Sequence, residues 1–396
     1  MNQPTSQTGS KPRVLIAGGG VAALEAMLAL RDFLGDRVEI ELHAPRRDFI
    51  YRPLAVGEPF VAKELIEFDL GDLTGRASAS FCLGSVNAVD PANRNVSSPD
   101  RDEIPFDYLL ICTGARMLAG VSGAQTFWGV SDEGGVAETM RRLREGELHR
   151  IAFTIPAAGW PLPIYELALL ADADLTRLGA REGTTLTIVT PEEKPLGVFG
   201  TQVGERMKSL LDDRGIGLRT GSHAVNVSDG LLHVSPGKPI EVDEVIGTPG
   251  IEGRQIGGIP SDPLGFIAVD EFSKVTGVER VYAAGDVTAF PVKQGGIATQ
   301  QADAAAEAIA AELGGDLTPR PFDPILRATL WTGEKPEYLY GKLAGGSGET
   351  SIFSDHALWE HEGKIVGRFL APFLNSIPGA RHPGVQAGPQ SEIAPG

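Results

Sequence analysis

The sequence contains only two cysteines in 396 residues. Cys82 and Cys112 lie far apart and in unlike contexts, so they offer neither a disulfide framework nor a zinc site, and we expect no bound metal ion. Such sparse cysteine is typical of proteins in a reducing cytoplasm. Both side chains are expected to be structural, and Cys82 is interpreted as a small buried hydrophobe.

Positive charge and long apolar runs are also scarce. The formal net charge of −17 argues against nucleic acid as a partner, because a phosphate backbone is bound by surplus Lys and Arg, and an anionic membrane surface should repel it too. No apolar run reaches about 18 residues, so no transmembrane helix is predicted. The polar start of the chain lacks the apolar segment of a signal peptide. We expect a disordered leader at 1–12 and a disordered tail at 378–396.

The stretch RVLIAGGGVAALEAMLAL, residues 13–30, reads as a strand, a glycine turn and a helix. This order is typical of a dinucleotide-binding turn: the first glycine allows a tight reversal, the second lets the backbone approach a pyrophosphate, and a third small residue lets helix and strand pack closely. The phosphates are then expected at the helix N-terminus. The residues predicted to bind them are Gly18, Gly20, Val21, Ala22 and Ala23.

The second strand, 38–43, ends where a ribose-binding acid is usual, but His43 stands there. Either its imidazole binds the ribose, or a backbone group or Arg46 does so. The loop 46–60 follows, as a cover over the cofactor or as an ordinary solvated basic turn. Residues 79–98 alternate like a hairpin with a turn at 90–93. The predicted cofactor contacts from this part of the chain are His43, Ala44, Arg46, Arg52, Pro53 and Val86.

Two later segments repeat the theme of a strand ending in glycine. FDYLLICTGA, residues 106–115, ends at Thr113 and Gly114, and VYAAGD, 281–286, delivers Asp286 directly after Gly285. PVKQGG, 291–296, then places a glycine pair at the start of a long Ala-rich helix. The positive end of that helix dipole would stabilise negative charge in front of it. The residues expected at this helix mouth are Lys293, Gln294, Gly295 and Gly296.

A second unit repeats the plan, with a strand at 149–155, a helix at 163–178 and a strand at 185–189. Its turn, PAAGWPLPIYE, lacks the glycine pattern. Trp160 and the neighbouring prolines deny a pyrophosphate the close approach that glycine allows. A second dinucleotide, NADH or NADPH, is therefore doubtful, although Glu192 after the last strand could serve as a ribose acid.

The motifs GGGVAA, LLICTGA and AAGDV, in this order, resemble those of the two-dinucleotide-domain flavoproteins of the pyridine nucleotide-disulfide oxidoreductase superfamily, over nearly the whole chain. Within it the sequence resembles sulfide:quinone oxidoreductases and type II NADH dehydrogenases, through the FIYRPL loop, the LPIYELALL helix and the distinct C-terminal section. It departs from both. Trp160 stands where the first group has a redox cysteine, no cysteine follows Cys112, and the glycine-rich second turn of the other group is missing.

The resemblance implies an α/β fold with two Rossmann-like domains of three-layer ββα character and a small C-terminal section. The implied bounds are 13–116 with 251–323 for the FAD-binding domain, 117–250 for the second domain and 324–377 for the last section. FAD is the implied cofactor, with Asp286 on the ribityl chain and Thr113 and Gly114 along its middle. Glu166, which faces the flavin in the relatives, is a candidate proton donor or acceptor, and Lys293 and Gln294 would lie nearest the ring.

The function implied is two-electron transfer through the flavin to a quinone or similar small acceptor, without redox-active cysteines. The alternatives are an NAD(P)H dehydrogenase and a non-catalytic flavin-binding sensor or scaffold. The apolar cluster at 369–374 either packs on the flavin domain, forms a homodimer interface or touches a membrane surface. We expect a cytoplasmic protein, with peripheral contact on the inner membrane face as an open alternative.

Overall fold

The structure is a computed structural model. It describes residues 11–60, 66–99, 101–129, 135–156, 159–344, 347–360 and 363–377. Residues 1–10 of the predicted leader and the whole predicted tail, 378–396, lie outside the described residues.

The strands, in chain order, are β1 Arg13–Ala17, β2 Glu39–Ala44, β3 Asp48–Ile50, β4 Glu67–Asp69, β5 Ser80–Leu83, β6 Ala88–Asp90, β7 Asn95–Ser98, β8 Arg101–Pro105, β9 Tyr108–Ile111, β10 Arg116–Leu118, β11 Gln125–Thr126, β12 Arg150–Thr154, β13 Thr185–Val189, β14 Gly217–Arg219, β15 His223–Ser228, β16 Leu231–Ser235, β17 Ile240–Glu241, β18 Glu244–Gly247, β19 Gly250–Glu252, β20 Val281–Ala283, β21 Ile325–Leu330, β22 Glu337–Ala344 and β23 Ser347–Ser354. The helices are α1 Val21–Leu34, α2 Leu70–Arg76, α3 Gly135–Arg144, α4 Leu162–Arg177, α5 Thr201–Asp213, α6 Gly295–Glu312 and α7 Leu370–Asn375.

The first unit is built on a five-stranded parallel sheet in the order β20-β9-β1-β2-β5. Its central strands read as continuous apolar runs because both faces are covered. The Ala-rich helices α1 and α6 pack together on one face. The antiparallel sheet β6-β7-β8 covers the other, where Leu15 and Leu109 meet Val89 and Ile104. This arrangement confirms the predicted three-layer α/β architecture.

One sequence-based expectation needs correction. The turn at 90–93 forms, with the amide of Asn93 donating to Asp90 Oδ1 at 3.1 Å, but it joins β6 to β7. Residues Ser80–Leu83 are instead the edge strand β5 of the parallel sheet, paired in register with Glu41–Ala44 of β2. A period of two does not distinguish a hairpin strand from a parallel edge strand, because side chains alternate in both.

The second unit repeats this plan with a parallel sheet in the order β11-β18-β12-β13-β14. Helices α3, α4 and α5 bury their apolar faces in one core beside it, and the antiparallel strands β15 to β17 pack on the other side. The short antiparallel pair β10-β19 marks where the chain leaves the first sheet and returns to it. The exact domain bounds stay a prediction.

The C-terminal section forms the antiparallel sheet β21-β22-β23 and then runs back to the first unit. Its last helix, α7, buries Leu370 and Leu374 in the core formed by α1 and α6, where Phe369 and Phe373 pack partly buried. These contacts support packing of the predicted apolar cluster on the first unit. Across the part of the chain that the structure describes, no helix combines the length and apolar character needed to cross a bilayer.

Candidate functional site

The glycine turn before α1 has two glycines with different constraints. Gly18 has φ +137°, and a Cβ there would lie 2.1 Å from the carbonyl oxygen of Cys112, so only glycine fits between β1 and β9. A Cβ on Gly20 would meet no protein atom within 4 Å. Gly20 therefore leaves an open face at the start of α1, where backbone amides and the helix dipole favour an anion. The residues that follow are half-buried Val21 and buried Ala22 and Ala23.

The third motif lies between the first turns of α1 and α6. Gly285 has φ +82°, and a Cβ there would approach the Cβ atoms of Ala22 and Ala298 at 3.2 and 3.3 Å. Its amide donates to Oε1 of Gln301 at 2.8 Å. Asp286 follows directly, so the structure brings this carboxylate to the junction of both glycine-led helices.

The second motif contributes an unsatisfied polar atom. Thr113 Oγ1 is buried and has no hydrogen-bond partner among the described residues. Gly114 beside it has φ +67° and an open side where a Cβ would meet nothing within 4 Å. A buried hydroxyl without a partner is costly, so a ligand that accepts or donates here would relieve that cost. The open faces and this hydroxyl fit a dinucleotide running along the strand ends.

Cations surround Asp286. Burial raises the pKa of this carboxyl, and the charges of Lys293 and Arg52 oppose that shift. The pKa of Arg52 is lowered by burial, opposed by Asp286, and lowered further by the neighbouring Arg46 and Arg254. Sequence reasoning missed Arg254, which lies two residues beyond β19. A group of cations held near one carboxylate suits a pyrophosphate.

Arg52 also lies close to β10, since its Nη1 is 3.7 Å from Met117 Sδ. Arg52 and half-buried Pro53 begin a 3-10 turn that ends at Gly57. A Cβ on Gly57 would be 3.1 Å from the ring of Trp331. The predicted cover loop therefore connects the cationic group to the C-terminal section.

His43 lies on the face of the first sheet. The Nε2 atom of His43 is 2.6 Å from Oε1 of Glu41. Glu41 also forms an ion pair with Arg13, and Cys82 is the residue opposite His43 on the neighbouring strand. The hydrogen bond from His43 and then the charge of Arg13 hold the pKa of Glu41 down at about 2. Donor atoms of Glu41, His43 and Cys82 lie within 4.8 Å of one another, but a metal ion would have to take Glu41 from Arg13.

Ala44 and Val86, two further residues of the predicted cofactor site, lie near the glycine turn and between β5 and β6. Ala44 lies beside the glycine turn, because a Cβ on Gly19 would be 2.8 Å from the Ala44 Cβ. Val86 is buried between β5 and β6. The imidazole of His43 is already hydrogen-bonded to Glu41. A contact between His43 and the ribose stays a prediction.

The start of α6 is closed by side chains. Gln294 is the N-cap: its Oε1 accepts from the amide of Ile297 at 2.9 Å, and its Nε2 donates to the carbonyl of Arg327 at 2.9 Å. Gly295 has no room for a Cβ, which would lie 2.8 Å from Ile365, and Gly296 is buried. The amide of Gln294 is thus committed to capping, and a direct part in the reaction stays a prediction.

The Lys293 side chain contacts residues close to it in the chain and the ring of Phe266. Its Nζ donates to the carbonyl of Thr288 and lies 3.9 Å from the ring centroid of Phe266. Burial lowers its pKa to about 8, against the charges of Asp286 and Asp262. The structure therefore brings Lys293 beside Asp286 through charge, and its predicted approach to the ring is untested.

Glu166 is part of a buried ion pair that joins α4 to the C-terminal section. Lys364 Nζ donates to Glu166 Oε1 and to the carbonyl of Thr329 at 2.9 Å, and the amide of Trp331 donates to the same Oε1 at 2.8 Å. Both charged side chains are 3% exposed. Burial raises the pKa of Glu166 and lowers that of Lys364, while their mutual attraction opposes both shifts.

The Lys364 ammonium also lies 4.2 Å from the ring centroid of Trp331, as in a cation–π contact. Ile365, the next residue, packs on Gly295 at the start of α6. The pair therefore lies next to the helix mouth that the sequence assigned to the flavin ring. Nothing local in the sequence marks Lys364, because its partner is 198 positions away.

Two described side chains at the turn of the second unit and after β13, Trp160 and Glu192, contact other residues of the same unit. The ring centroids of Trp160 and Phe199 are 5.8 Å apart. Glu192 Oε2 accepts from the hydroxyls of Tyr165 at 2.7 Å and Thr190 at 2.9 Å, and burial raises its pKa. The carboxylate that could have bound a second ribose is therefore engaged within the protein.

Comparison with known proteins agrees with this geometry. Residues 166–309 match the family model described as pyridine nucleotide-disulphide oxidoreductase, and the structure resembles that of the sulfide:quinone oxidoreductase of Aquifex aeolicus, with a TM-score of 0.74 at 19% identity over 87% of this chain and 86% of that one. The match to the family model covers less than half of the chain, and the similar proteins are oxidoreductases. These similarities agree with the predicted assignment as an oxidoreductase that uses FAD.

Two curated relatives extend the similarity. An NADH dehydrogenase-like protein of Mycobacterium tuberculosis is 25% identical over 296 residues, covering 70% of this chain and 73% of that one. The sulfide-quinone reductase of Aquifex aeolicus is 27% identical over 208 residues, covering 50% of this chain and 47% of that one. The match to the latter thus spans about half of each protein.

Substitution of the two glycines separates folding from cofactor binding. We expect Gly20→Ala to leave the unfolding midpoint of the FAD-free protein unchanged, because its Cβ meets no protein atom, and to weaken FAD binding about tenfold or more by crowding the pyrophosphate. Gly18→Ala should lower the midpoint of the FAD-free protein itself. Thermal unfolding and flavin fluorescence titration measure the two effects, and an equal loss of stability in both variants would contradict this assignment.

Breaking the Glu166–Lys364 pair should destabilise the fold. We expect Glu166→Gln to lower the free energy of unfolding by about 3 kcal/mol, because it leaves a buried ammonium without a carboxylate. Glu166→Gln combined with Lys364→Met should recover most of that loss. Denaturant unfolding of the two single variants and the double variant measures the coupling, and purely additive losses would contradict a direct interaction.

Proposed function

We propose that this FAD-dependent oxidoreductase passes two electrons to a quinone or a similar small acceptor and does so without redox-active cysteines. The observation that carries the proposal is the buried Glu166–Lys364 pair beside Trp331, next to the N-terminus of α6. A buried acid and amine that share a proton are suited to protonating an acceptor as it is reduced.

The residues that would hold FAD run along the strand ends of the first unit. The open face of Gly20 and the start of α1 would bind the pyrophosphate, the Thr113 hydroxyl would find a partner along the cofactor, and Asp286 would hold the ribityl chain. Arg46, Arg52 and Arg254 would balance the phosphate charge. When bound, FAD supplies the two-electron chemistry, and the protein supplies position and electrostatics.

Cysteine chemistry has little support from the two thiols. Cys112 is buried, and burial raises its pKa well above the usual range, which keeps it a thiol and a poor nucleophile. Cys82 lies on edge strand β5, beside His43. Trp160 occupies the position where the resemblance would place a redox cysteine. Persulfide formation on a thiolate is therefore not part of the proposal.

Reduction of a quinone to a quinol takes up two electrons and two protons. Burial raises the pKa of Glu166 and lowers that of Lys364, so transfer of the proton within the pair costs less than it would in water. The pair can thus hold a proton at Glu166 Oε1 or Lys364 Nζ and deliver it when negative charge develops nearby. Protons taken from solvent would then reload it.

The donor side supports a reductant other than NAD(P)H. Trp160 of the second turn packs against Phe199, and Glu192 is engaged by Tyr165 and Thr190. The competing proposal, an NAD(P)H dehydrogenase, is supported by the similarity to the NADH dehydrogenase-like protein of Mycobacterium tuberculosis and by the location of Glu192 just after β13. A cytoplasmic location, a homodimer and peripheral contact with a membrane that holds the quinone stay predictions within this proposal.

The proton-transfer role separates two kinds of acceptor. We expect Glu166→Gln, reduced by light without oxygen, to be reoxidised by a short-chain ubiquinone analogue about 100-fold more slowly than wild type. Reoxidation by ferricyanide, which accepts electrons without protons, should keep its wild-type rate. Stopped-flow measurement of flavin absorption follows both reactions.

Glu337→Gln is a suitable control, because this glutamate is also partly buried but lies in β22, outside the candidate site. It should leave both rates unchanged. Equal slowing of quinone and ferricyanide reactions in Glu166→Gln would contradict a proton-transfer role, and a wild-type protein that ubiquinone fails to reoxidise would overturn the quinone proposal.

Anaerobic mixing with excess NADH or NADPH tests the donor. We expect the flavin absorption to stay in its oxidised form for minutes, because Trp160 of the second turn packs against Phe199 and Glu192 is engaged. Dithionite should bleach the same sample, which shows that the flavin is reducible. Bleaching by NADH within seconds would instead establish the NAD(P)H dehydrogenase.

A further inference from the structure

Residues 363–370, called here the strap, lie between the C-terminal sheet and α7 and contact α1, α4, the start of α6 and the cover loop. The carbonyl of Gly363 accepts from the hydroxyl of Thr329 at 3.1 Å, and the amide of Ile365 donates to the hydroxyl of Tyr51 at 2.9 Å. Lys364 reaches Glu166, and Ile365 covers Gly295. The strap thus contributes Lys364 and Ile365 to the surroundings of the α6 N-terminus.

The far end of the strap is held by Glu25, which is fully buried in the middle of α1. Its Oε1 accepts from the amide of Phe369 at 2.8 Å, and its Oε2 accepts from the amide of Leu370 at 2.7 Å. A Cβ on Gly367 would lie 2.5 Å from Glu25 Oε2. The strap therefore passes so close to this carboxylate that a side chain at position 367 would displace either the carboxylate or the strap.

A second buried carboxyl lies close to Glu25. Asp303 of α6 has a buried Oδ1 without a hydrogen-bond partner among the described residues. Burial, together with repulsion from Glu25, raises the pKa of Asp303 to about 8, and Arg368, Glu307 and Arg320 are the other charged groups that act on it. Burial raises the pKa of Glu25 as well, but the amides of Phe369 and Leu370 that donate to its oxygens oppose this shift. Asp303 Oδ1 has no such donor among the described residues, so the geometry favours Glu25 over Asp303 as the charged member of the pair.

We propose that Glu25 is a positioning residue: by holding Phe369 and Leu370 on the dinucleotide-binding helix, it keeps the strap docked, with Lys364 on Glu166 and Ile365 over the start of α6. Only four residues separate Lys364 from Phe369. Release of Phe369 and Leu370 from Glu25 should therefore also loosen the contact of Lys364 with Glu166. The inference deepens the proposed function and rests on it for the part of Lys364 in acceptor reduction. Docking itself is independent of the reaction.

The test is hydrogen exchange of the FAD-loaded protein, read by mass spectrometry on peptides covering 363–377. In Glu25→Gln, which offers one acceptor oxygen in place of two, we expect the amides of Phe369 and Leu370 to exchange at least about tenfold faster than in wild type, while peptides of β1 and β9 keep their protection. The rate of reoxidation by the ubiquinone analogue should fall, and the ferricyanide rate should not.

Matched variants keep the test decisive. Glu312→Gln alters a carboxylate of α6 whose partners, Lys274 and Tyr282, lie outside the strap, so it should leave exchange at Phe369 and Leu370 unchanged. If Glu25→Gln does not fold, Gly367→Ala displaces the strap without altering α1, and it should raise the same exchange rates.

Wild-type protection of Phe369 and Leu370 in Glu25→Gln would overturn the inference, as would faster exchange with unchanged quinone kinetics. If wild-type protein fails to reduce the quinone at all, the proposed function fails, and exchange alone then decides whether Glu25 docks the strap.

Discussion

The contact on which the candidate site depends is the ion pair of Glu166 and Lys364. Two charges with 3% exposure cost several kcal/mol to desolvate, and only close pairing with further hydrogen bonds offsets this. Trp331 and Thr329 provide those bonds from β21 and its end. The pair therefore fixes α4, the C-terminal sheet and the strap relative to one another, and it brings a proton-carrying group to the start of α6.

Glu25 of the first unit is likewise a buried charged residue that depends on hydrogen bonds from the strap. A carboxylate inside an Ala-rich helix is unfavourable unless its oxygens accept hydrogen bonds, and the two strap amides provide them. The sequence shows only a glutamate interrupting an apolar helix. Its partners are more than 340 positions away, so the fold had to be known before its role could be argued.

The parts of the molecule that sequence could predict are those with local causes. A strand, a glycine turn and a helix must follow one another within about 20 residues to bind a pyrophosphate, and so Gly18, Gly20 and Asp286 were recognisable. The contacts of His43, Arg254 and Lys364 depend on strand pairing and on how distant segments pack, for which no spacing rule exists. The hairpin expected at 79–98 failed for the same reason, because Ser80–Leu83 takes its partner from β2.

The first turn of α4 contacts two separate parts of the structure, through Tyr165 and Glu166. Adjacent helix residues point about 100° apart, and here the Tyr165 hydroxyl reaches Glu192 after β13, while the Glu166 carboxylate reaches Lys364 in the strap. The first contact engages the acid that a second nucleotide would need, and the second forms the buried pair that we propose as the proton-transfer site. The absence of the glycine pattern from the preceding turn is consistent with both contacts, since Pro161 and Pro163 fix the start of this helix. We therefore interpret the second unit as a rigid support for Glu166, whose position it sets through the core around Tyr165 and Phe199.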